Sequence, residues 1–320
     1  MYLFWQLISK ISFDWLDIKI SSNGRAIEFW GYPIYFYGII IVAGICAAMI
    51  VMSRLLKRKG LLSDICLDYA VLVIPLAIIG ARLYFLIFPY DYITSAQYFN
   101  QELITVGWSG EVTQAYYWSF KHIFAIRDGG LGIYGAVIAG YVAVYIITKV
   151  KKLNFLEIAD CIIPGLFLAQ SMGRWGNFIN GEAHGNIITN PIWQWFPNAV
   201  EINGSFYQAT FFYESMCTLL GFIICLLLLK NKHYRNGWCL TFYGLFYGAV
   251  RLVIEGLRTD SLFLRVPLIW KQQLWDTGIR ISQAVSILVI VLAFIKIIVI
   301  YRKEILVLLK RIFHKKQAKN

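Results

Sequence analysis

Seven stretches of mostly apolar residues, at roughly 32–53, 67–89, 129–149, 156–176, 209–229, 238–257 and 281–301, decide what this chain can fold into. An α-helix of about 20 residues crosses the hydrocarbon core of a bilayer. Lipid offers no water to satisfy backbone polar groups, so each stretch must be helical. Composition agrees, since 59% of the 320 residues are hydrophobic and 15% are charged, against about 25% charged in soluble domains. The expected fold class is an all-α integral membrane protein, a seven-transmembrane-helix bundle. The net charge of +12 would suit a nucleic acid, but the basic residues alternate with apolar stretches and form no single stripe. No nucleic-acid partner is expected. The six cysteines lie in or beside apolar stretches without CxxC spacing, which argues against a disulfide framework or a zinc site. The first long apolar run starts near Tyr32, so no cleavable signal peptide is expected.

Orientation follows from where lysine and arginine collect. Seventeen of them lie in the 54–60, 149–154 and 230–236 connections and the C-terminal tail, packed against span ends. Nine are scattered through the connections on the other side. The N-terminus is expected outside and the C-terminus in the cytoplasm. The longer connections, 1–31, 90–128, 177–208 and 258–280, then form a small extracytoplasmic head rich in Trp, Tyr and Phe, residues that suit the headgroup layer. Residues 17–30 alternate weakly and predict a short hairpin. The expected organisation is an extracytoplasmic segment over 1–31, a seven-helix catalytic domain over 32–301 and a basic cytoplasmic tail over 302–320. Within that tail, 301–312 reads as an amphipathic helix along the inner membrane surface, and the last nine residues read as solvated and disordered.

The spans are not pure. They contain Arg82, Asp160, Arg174, Glu214, Arg251 and Glu255. Ionisable groups in a membrane are costly and face a partner or a cavity. Ion pairing is the plain alternative, and Arg251 and Glu255 share a helix face at i,i+4. Yet Arg82, Arg174 and Arg251 all fall in the outer halves of their spans. Three arginines converging at one depth call for an anion, and the planar guanidinium suits phosphate. In a bilayer the abundant phosphate is a lipid headgroup. At the entrance of the third span, DGGLGIYG places Gly129 and Gly130 where an irregular backbone would line a cavity. Its later glycines suit close helix packing.

The densest polar cluster is GRWGNFINGEAHG at 173–185. Asn177 and Asn180 bring donors and acceptors, and Glu182 and His184 are its acid–base groups. Gly173, Gly176, Gly181 and Gly185 predict that the helix stops and the segment folds as a loop over the end of the fourth span. His184 reads as an ordinary loop histidine.

This segment closely resembles the signature of bacterial phosphatidylglycerol–prolipoprotein diacylglyceryl transferases, through Gly173, Arg174, Gly176, Asn177, Phe178, Asn180, Glu182 and Gly185. Other pieces agree in order: YFYG at 35–38, GARLYF at 80–85, GGLGIYG at 129–135, Asp160, FYE at 212–214 and RLVIEGLR at 251–258. The resemblance covers about 30–305. It implies a multi-pass enzyme of the bacterial plasma membrane, without metal or cofactor. Such an enzyme moves the diacylglyceryl group of phosphatidylglycerol onto the lipobox cysteine of a prolipoprotein signal peptide, leaving a thioether and releasing glycerol-1-phosphate. Some members carry histidine where this chain has Tyr134 and Gln208; a histidine base in those places cannot operate here, as in the type seen in Gram-positive bacteria.

On that resemblance Arg174 and Arg251 are expected to bind the phosphate, where preorganised positive charge meets the developing charge of the leaving group. The thiol must lose its proton to attack. Candidate acceptors are Glu182, Glu255, Tyr134 and the leaving phosphate. Asn177, Asn180, Gly129, Gly130 and Gly185 are expected to orient or approach the substrate, and Tyr37 and Arg82 to line the lipid cavity. Asp160 and Glu214 are expected to hold the arginines, with Arg258 beside them. Other classes fare worse. Lys296 invites comparison with a retinal-binding lysine, but it stands next to the basic tail and is expected to snorkel. A transporter predicts inverted repeats with broken helices, and the sequence has none. A lipid-binding scaffold would keep the arginines without consuming phosphatidylglycerol.

Overall fold

The computed structural model describes residues 12–13, 18–20, 26–29, 32–87, 105–106, 112–114, 131–202, 204–259, 263–268 and 273–317. Among them are seven helices long and apolar enough to cross a membrane. They are α1 (Phe36–Arg58), α2 (Ile65–Ile87), α3 (Ile133–Val150), α4 (Phe155–Asn180), α5 (Thr210–Lys230), α6 (Trp238–Leu257) and α7 (Ile281–Gln317). The all-α seven-span class is the one found. Short antiparallel strands occupy several connections. β1 (Ser12–Phe13), β2 (Ile18–Ile20), β3 (Ala26–Phe29) and β4 (Tyr32–Tyr35) form a four-stranded meander. The hairpin expected over 17–30 is β2–β3, with Ile18 opposite Phe29. Three further hairpins pair β5 (Thr105–Val106) with β6 (Val112–Gln114), β7 (Ala199–Ile202) with β8 (Ser205–Gln208), and β9 (Phe263–Leu268) with β10 (Gln273–Arg280).

Four boundaries differ from expectation. Span 1 starts at Phe36, because 32–35 is strand. Span 3 starts at Ile133, after non-helical Leu131 and Gly132; Gly129 and Gly130 lie outside the described residues. Span 4 continues through the polar cluster to Asn180. Span 7 continues unbroken to Gln317, so 301–312 prolongs the spanning helix and 312–317 is helical. No glycine or proline occurs between 281 and 317 to interrupt it.

Contacts divide the chain into two units. One comprises Met1–Met52, Ala159–Ser261 and Ser282–Asn320, and the other Ser53–Ile158 and Leu262–Ile281. In the first, α1 and α4 meet along a seam of small residues. Gly44 faces Ala169, and a Cβ on Gly165 would stand 2.8 Å from the Ala48 carbonyl. Such seams let backbones approach closely where no hydrophobic effect drives helices together. Half of the spanning part of α4 is buried, against 11% of that of α7, so α4 is the inner strut and α7 keeps most of its apolar surface for lipid. Phe167 of α4 is fully buried against Tyr243, 4.9 Å between rings, and against Phe242 and Phe246 of α6. Gly221 of α5 leaves it room.

At the other end of α4, the buried Asp160 carboxylate accepts from the Tyr234 hydroxyl and from the Gly237 and Leu240 N–H groups. It thereby satisfies donors that the first turn of α6 leaves open. Burial and the neighbouring Asp160 carboxylate push the Tyr234 phenol up. Lys296 donates to the Gly237 carbonyl at 2.8 Å. Its ammonium thus reaches the boundary of the α6 span.

In the second unit a Cβ on Gly135 would overlap the Gly80 carbonyl and Tyr84, and the Gly132 N–H donates to the Ala81 carbonyl at 3.0 Å. The described glycines of the third-span motif thus serve close contact between α2 and α3. Tyr69 to Thr148 (2.5 Å) and Lys151 to Asp68 (2.6 Å) tie the same two helices at their other ends.

Candidate active site

The polar cluster at 173–185 is mostly helix, which corrects the loop expected from its glycines. Gly173 faces the tip of Ile41 across the α1–α4 seam, and a Cβ on Gly176 would lie 2.6 Å from the Tyr37 ring. These two glycines make room for α1 and do not break α4. A helix also keeps the backbone satisfied at membrane depth, where a loop would not. The break comes at Gly181, whose φ is +70°. Its N–H donates to the Phe178 carbonyl and the Glu182 N–H to the Asn177 carbonyl, both at 3.0 Å. This is a Schellman termination, which places a left-handed residue, usually glycine, just past the helix.

That termination folds Glu182 back over the last turn. Its Oε1 accepts from Asn177 Nδ2 at 3.0 Å and Asn180 Nδ2 at 3.2 Å. Asn177 Oδ1 in turn accepts from Arg174 at 3.4 Å. One turn along, Arg174 meets α5, with a guanidinium nitrogen 2.7 Å from Glu214 Oε1. The other oxygen of Glu214 lies 3.4 Å from Arg251 of α6, and Arg251 reaches Glu255 Oε2 at 2.6 Å, one turn further along α6. Arg251 also donates to Ser282 at the start of α7 (3.4 Å). Glu214 and Glu255 are buried, their side chains 2% and 3% exposed, while Arg174 and Arg251 keep 18% and 17%. The result is a charge-balanced row, Arg174–Glu214–Arg251–Glu255, on the ends of three spanning helices.

Two of the three expected arginines are thus brought onto one carboxylate. Glu214, expected only to hold them, is the group they share, and the Arg251–Glu255 ion pair is part of the same row. Arg82 and Tyr134 belong to the other unit. There the buried Arg82 guanidinium lies over the Phe85 ring at 5.2 Å, and Tyr134 stands 6.0 Å from Tyr84 between ring centroids. Gly129 and Gly130 lie outside the described residues. Asp160 does not hold the arginines. It lies fourteen residues before Arg174 on a continuous helix, about 21 Å away at 1.5 Å per residue, and caps α6.

Beyond Glu182, the chain returns as a framed loop. The Ala183 carbonyl accepts from the buried Thr210 hydroxyl at 2.6 Å. Gly185 donates to the Gln208 carbonyl at 3.0 Å and forms a bridge with the Arg258 backbone. A Cβ on Gly185 would lie 2.8 Å from Gln208 Cβ and 3.0 Å from Thr210 Cγ2, so any side chain there makes these neighbours shift. His184 packs on Tyr207, 4.3 Å between rings.

Sequence reasoning missed Gln170, Tyr243 and Tyr247. Gln170 donates to the Tyr243 hydroxyl at 2.7 Å, the Tyr243 and Tyr247 rings stack at 5.1 Å, and the Tyr247 hydroxyl donates to Glu214 Oε1 at 3.4 Å. Helical spacing was the available signal: Gln170 precedes Arg174 by four residues, and Tyr243 and Tyr247 precede Arg251 by eight and four.

A family model described as prolipoprotein diacylglyceryl transferase matches residues 25–299. The chain belongs to that family. It is similar to the phosphatidylglycerol–prolipoprotein diacylglyceryl transferase of Oceanobacillus iheyensis, at 39% identity over 287 residues, covering 87% of this chain and 88% of that one. The enzymes of the same name from Clostridium kluyveri and Finegoldia magna are 37% and 36% identical, covering 84% and 88% of this chain and 92% and 96% of theirs. The match contains all seven spans except the end of α7, so this is a transferase and a multi-pass bacterial membrane protein.

Proposed function

We propose that this chain transfers the diacylglyceryl group of phosphatidylglycerol to the lipobox cysteine of prolipoproteins, and that the Arg174–Glu214–Arg251 row is where the lipid phosphate is held. The observation that carries this reading is two guanidiniums sharing one buried carboxylate at the ends of α4, α5 and α6. Each guanidinium has five N–H donors, and the shared carboxylate preorganises both while leaving donors for a phosphate. The lipobox sulfur attacks the glycerol carbon as thiolate, a carbon–sulfur bond forms, and the carbon–oxygen bond to phosphate breaks. The phosphate leaves as glycerol-1-phosphate, its growing charge met by Arg174 and Arg251. The exposed Glu182, steadied by Asn177 and Asn180, is the carboxylate that takes the thiol proton. Glu255 is committed to Arg251. The distribution of basic residues favours this end of the helices outside, with 1–31 on that side and 302–320 in the cytoplasm.

The test is a transfer assay with a lipobox peptide and phosphatidylglycerol, reading the modified peptide by mass. Arg174→Ala and Arg251→Ala are expected to lower the product by about a hundredfold to a thousandfold, while a Trp238→Phe control keeps its activity. Full activity in both arginine variants would sink the phosphate site. For Glu182→Gln the expected outcome is a lowered rate with an altered pH profile, and an unchanged profile removes Glu182 as the base. Lipid binding without any modified peptide from the wild-type chain would instead favour a scaffold.

A further inference from the structure

The loop that returns from Glu182 to α5 has its polarity inside out. Residues 186–200 contain no charged side chain. Three of its polar side chains, Asn190, Gln194 and Asn198, bond to the loop's own backbone. Asn190 Oδ1 accepts from the Ile192 N–H at 3.1 Å, and Gln194 Nε2 donates to the Ile188 carbonyl at 2.8 Å. Asn198 Nδ2 donates to the Trp193 carbonyl at 2.7 Å, and Tyr213 of α5 donates to the Asn198 carbonyl at 2.9 Å. Five large apolar side chains, Ile187, Ile192, Trp193, Trp195 and Phe196, face outward, between 46% and 74% exposed, while Ala199 and Val200 at the loop's end are buried. Single exposed apolar side chains are ordinary, whereas a contiguous group of large ones marks a membrane or interaction surface.

We infer that this loop is a membrane-interface anchor, seated at the boundary between headgroups and acyl chains in the leaflet at the Arg174 end of α4. Three observations select lipid as the occupant. Both ends of the loop are ends of spanning helices, Asn180 of α4 and Thr210 of α5, so the loop starts and finishes at the membrane boundary. Its exposed set includes two tryptophans, the residue type that settles at that boundary because an indole combines an apolar body with one N–H donor. Asn190, Gln194 and Asn198 bond to backbone groups of the loop, which lowers the cost of taking this irregular backbone out of water. The anchor also has a consequence for the site. Glu182 and Gly185 begin the same loop, and the Phe196 ring packs on Phe212 of α5 at 4.9 Å, two residues before Glu214. Seating the loop fixes the level of the carboxylates relative to lipid headgroups.

The experiment reads tryptophan emission of the full chain in phosphatidylcholine vesicles, with and without brominated acyl chains, and uses no transfer activity. The difference in emission between wild type and Trp193→Phe, and between wild type and Trp195→Phe, isolates each indole. Both differences are expected to be quenched by lipid brominated near the top of the acyl chain, more than by lipid brominated near its end, and to be shielded from aqueous iodide. Ile192→Trp, at a position 74% exposed, adds an indole without disturbing packing and should gain emission with the same quenching pattern. Emission quenched by iodide and untouched by bromine overturns the inference. So does shielding that arises only when a lipobox peptide is added, which assigns the surface to the precursor. Either result leaves the phosphate-site reading standing, and loss of transfer in the arginine variants says nothing of the loop.

Discussion

The first unit buries carboxylates at both ends of its helices, and the two ends use them differently. At one end Asp160 spends its oxygens on the Tyr234 hydroxyl and two backbone N–H groups of α6. At the other end Glu214 bonds to side chains that have donors to spare, the Arg174 and Arg251 guanidiniums. Both acids sit in spans, and both are costly there. The difference lies in the partner. A carboxylate that closes a helix start holds the fold and offers nothing further, whereas one that aligns two guanidiniums creates a place for an anion. An ionisable residue in a membrane is therefore a starting point for a functional reading, and its partners decide the outcome.

This contrast can be broken in order of expected effect. Removing either guanidinium, by Arg174→Ala or Arg251→Ala, should lower transfer by about a hundredfold to a thousandfold, the range for losing one preorganised donor to developing charge. The purified variants should remain monodisperse in detergent. Arg174→Lys keeps the charge and loses the fork, and should also lose most of the activity; a fully active lysine variant would show that charge alone suffices. Asp160→Ala should have the opposite profile. It strands buried donors on Tyr234, Gly237 and Leu240, at about 1–3 kcal/mol each, so thermal unfolding should fall sharply while activity per folded molecule persists. A selective loss of activity would erase the distinction between the two ends.

Gly176→Ala should sharpen it. The added Cβ meets the Tyr37 ring at 2.6 Å, and overpacking of this kind costs about 1–3 kcal/mol. Because the clash displaces the helix turn carrying Arg174 and Asn177, both stability and transfer should drop, unlike either single-ended change. Lys296→Met is the mildest. It removes the hydrogen bond to the Gly237 carbonyl, worth about 0.5–1.5 kcal/mol, and should lower the unfolding temperature slightly with no change in transfer.

The spans were legible because apolar length is a local property, and their helical state follows from the absence of water in lipid. The residues of the site were legible as types, since arginine and glutamate inside such spans stand out against their surroundings. Their pairing was not. Arg174, Glu214 and Arg251 are 40 and 37 residues apart along the chain, and nothing local says which acid meets which base. The role given to Asp160 failed for the same reason. In sequence it is one more acid ahead of an arginine, while fourteen residues of continuous helix hold the two about 21 Å apart. The glycines of 173–185 misled because glycine does two different things. At Gly181 it ends a helix with a positive φ, and at Gly176 it admits a neighbouring ring. The second use is visible only when the neighbour is in place.

By itself, then, the sequence determined the number of membrane crossings, the helical class and the set of ionisable residues that lipid makes expensive, because hydropathy and burial cost act residue by residue. The tertiary structure decided which of those residues share a carboxylate, which one caps a helix, and which way the loop at 186–200 turns its tryptophans. Those outcomes depend on close approach between segments distant in the chain, through small-residue seams and helix ends that meet only once the helices are packed.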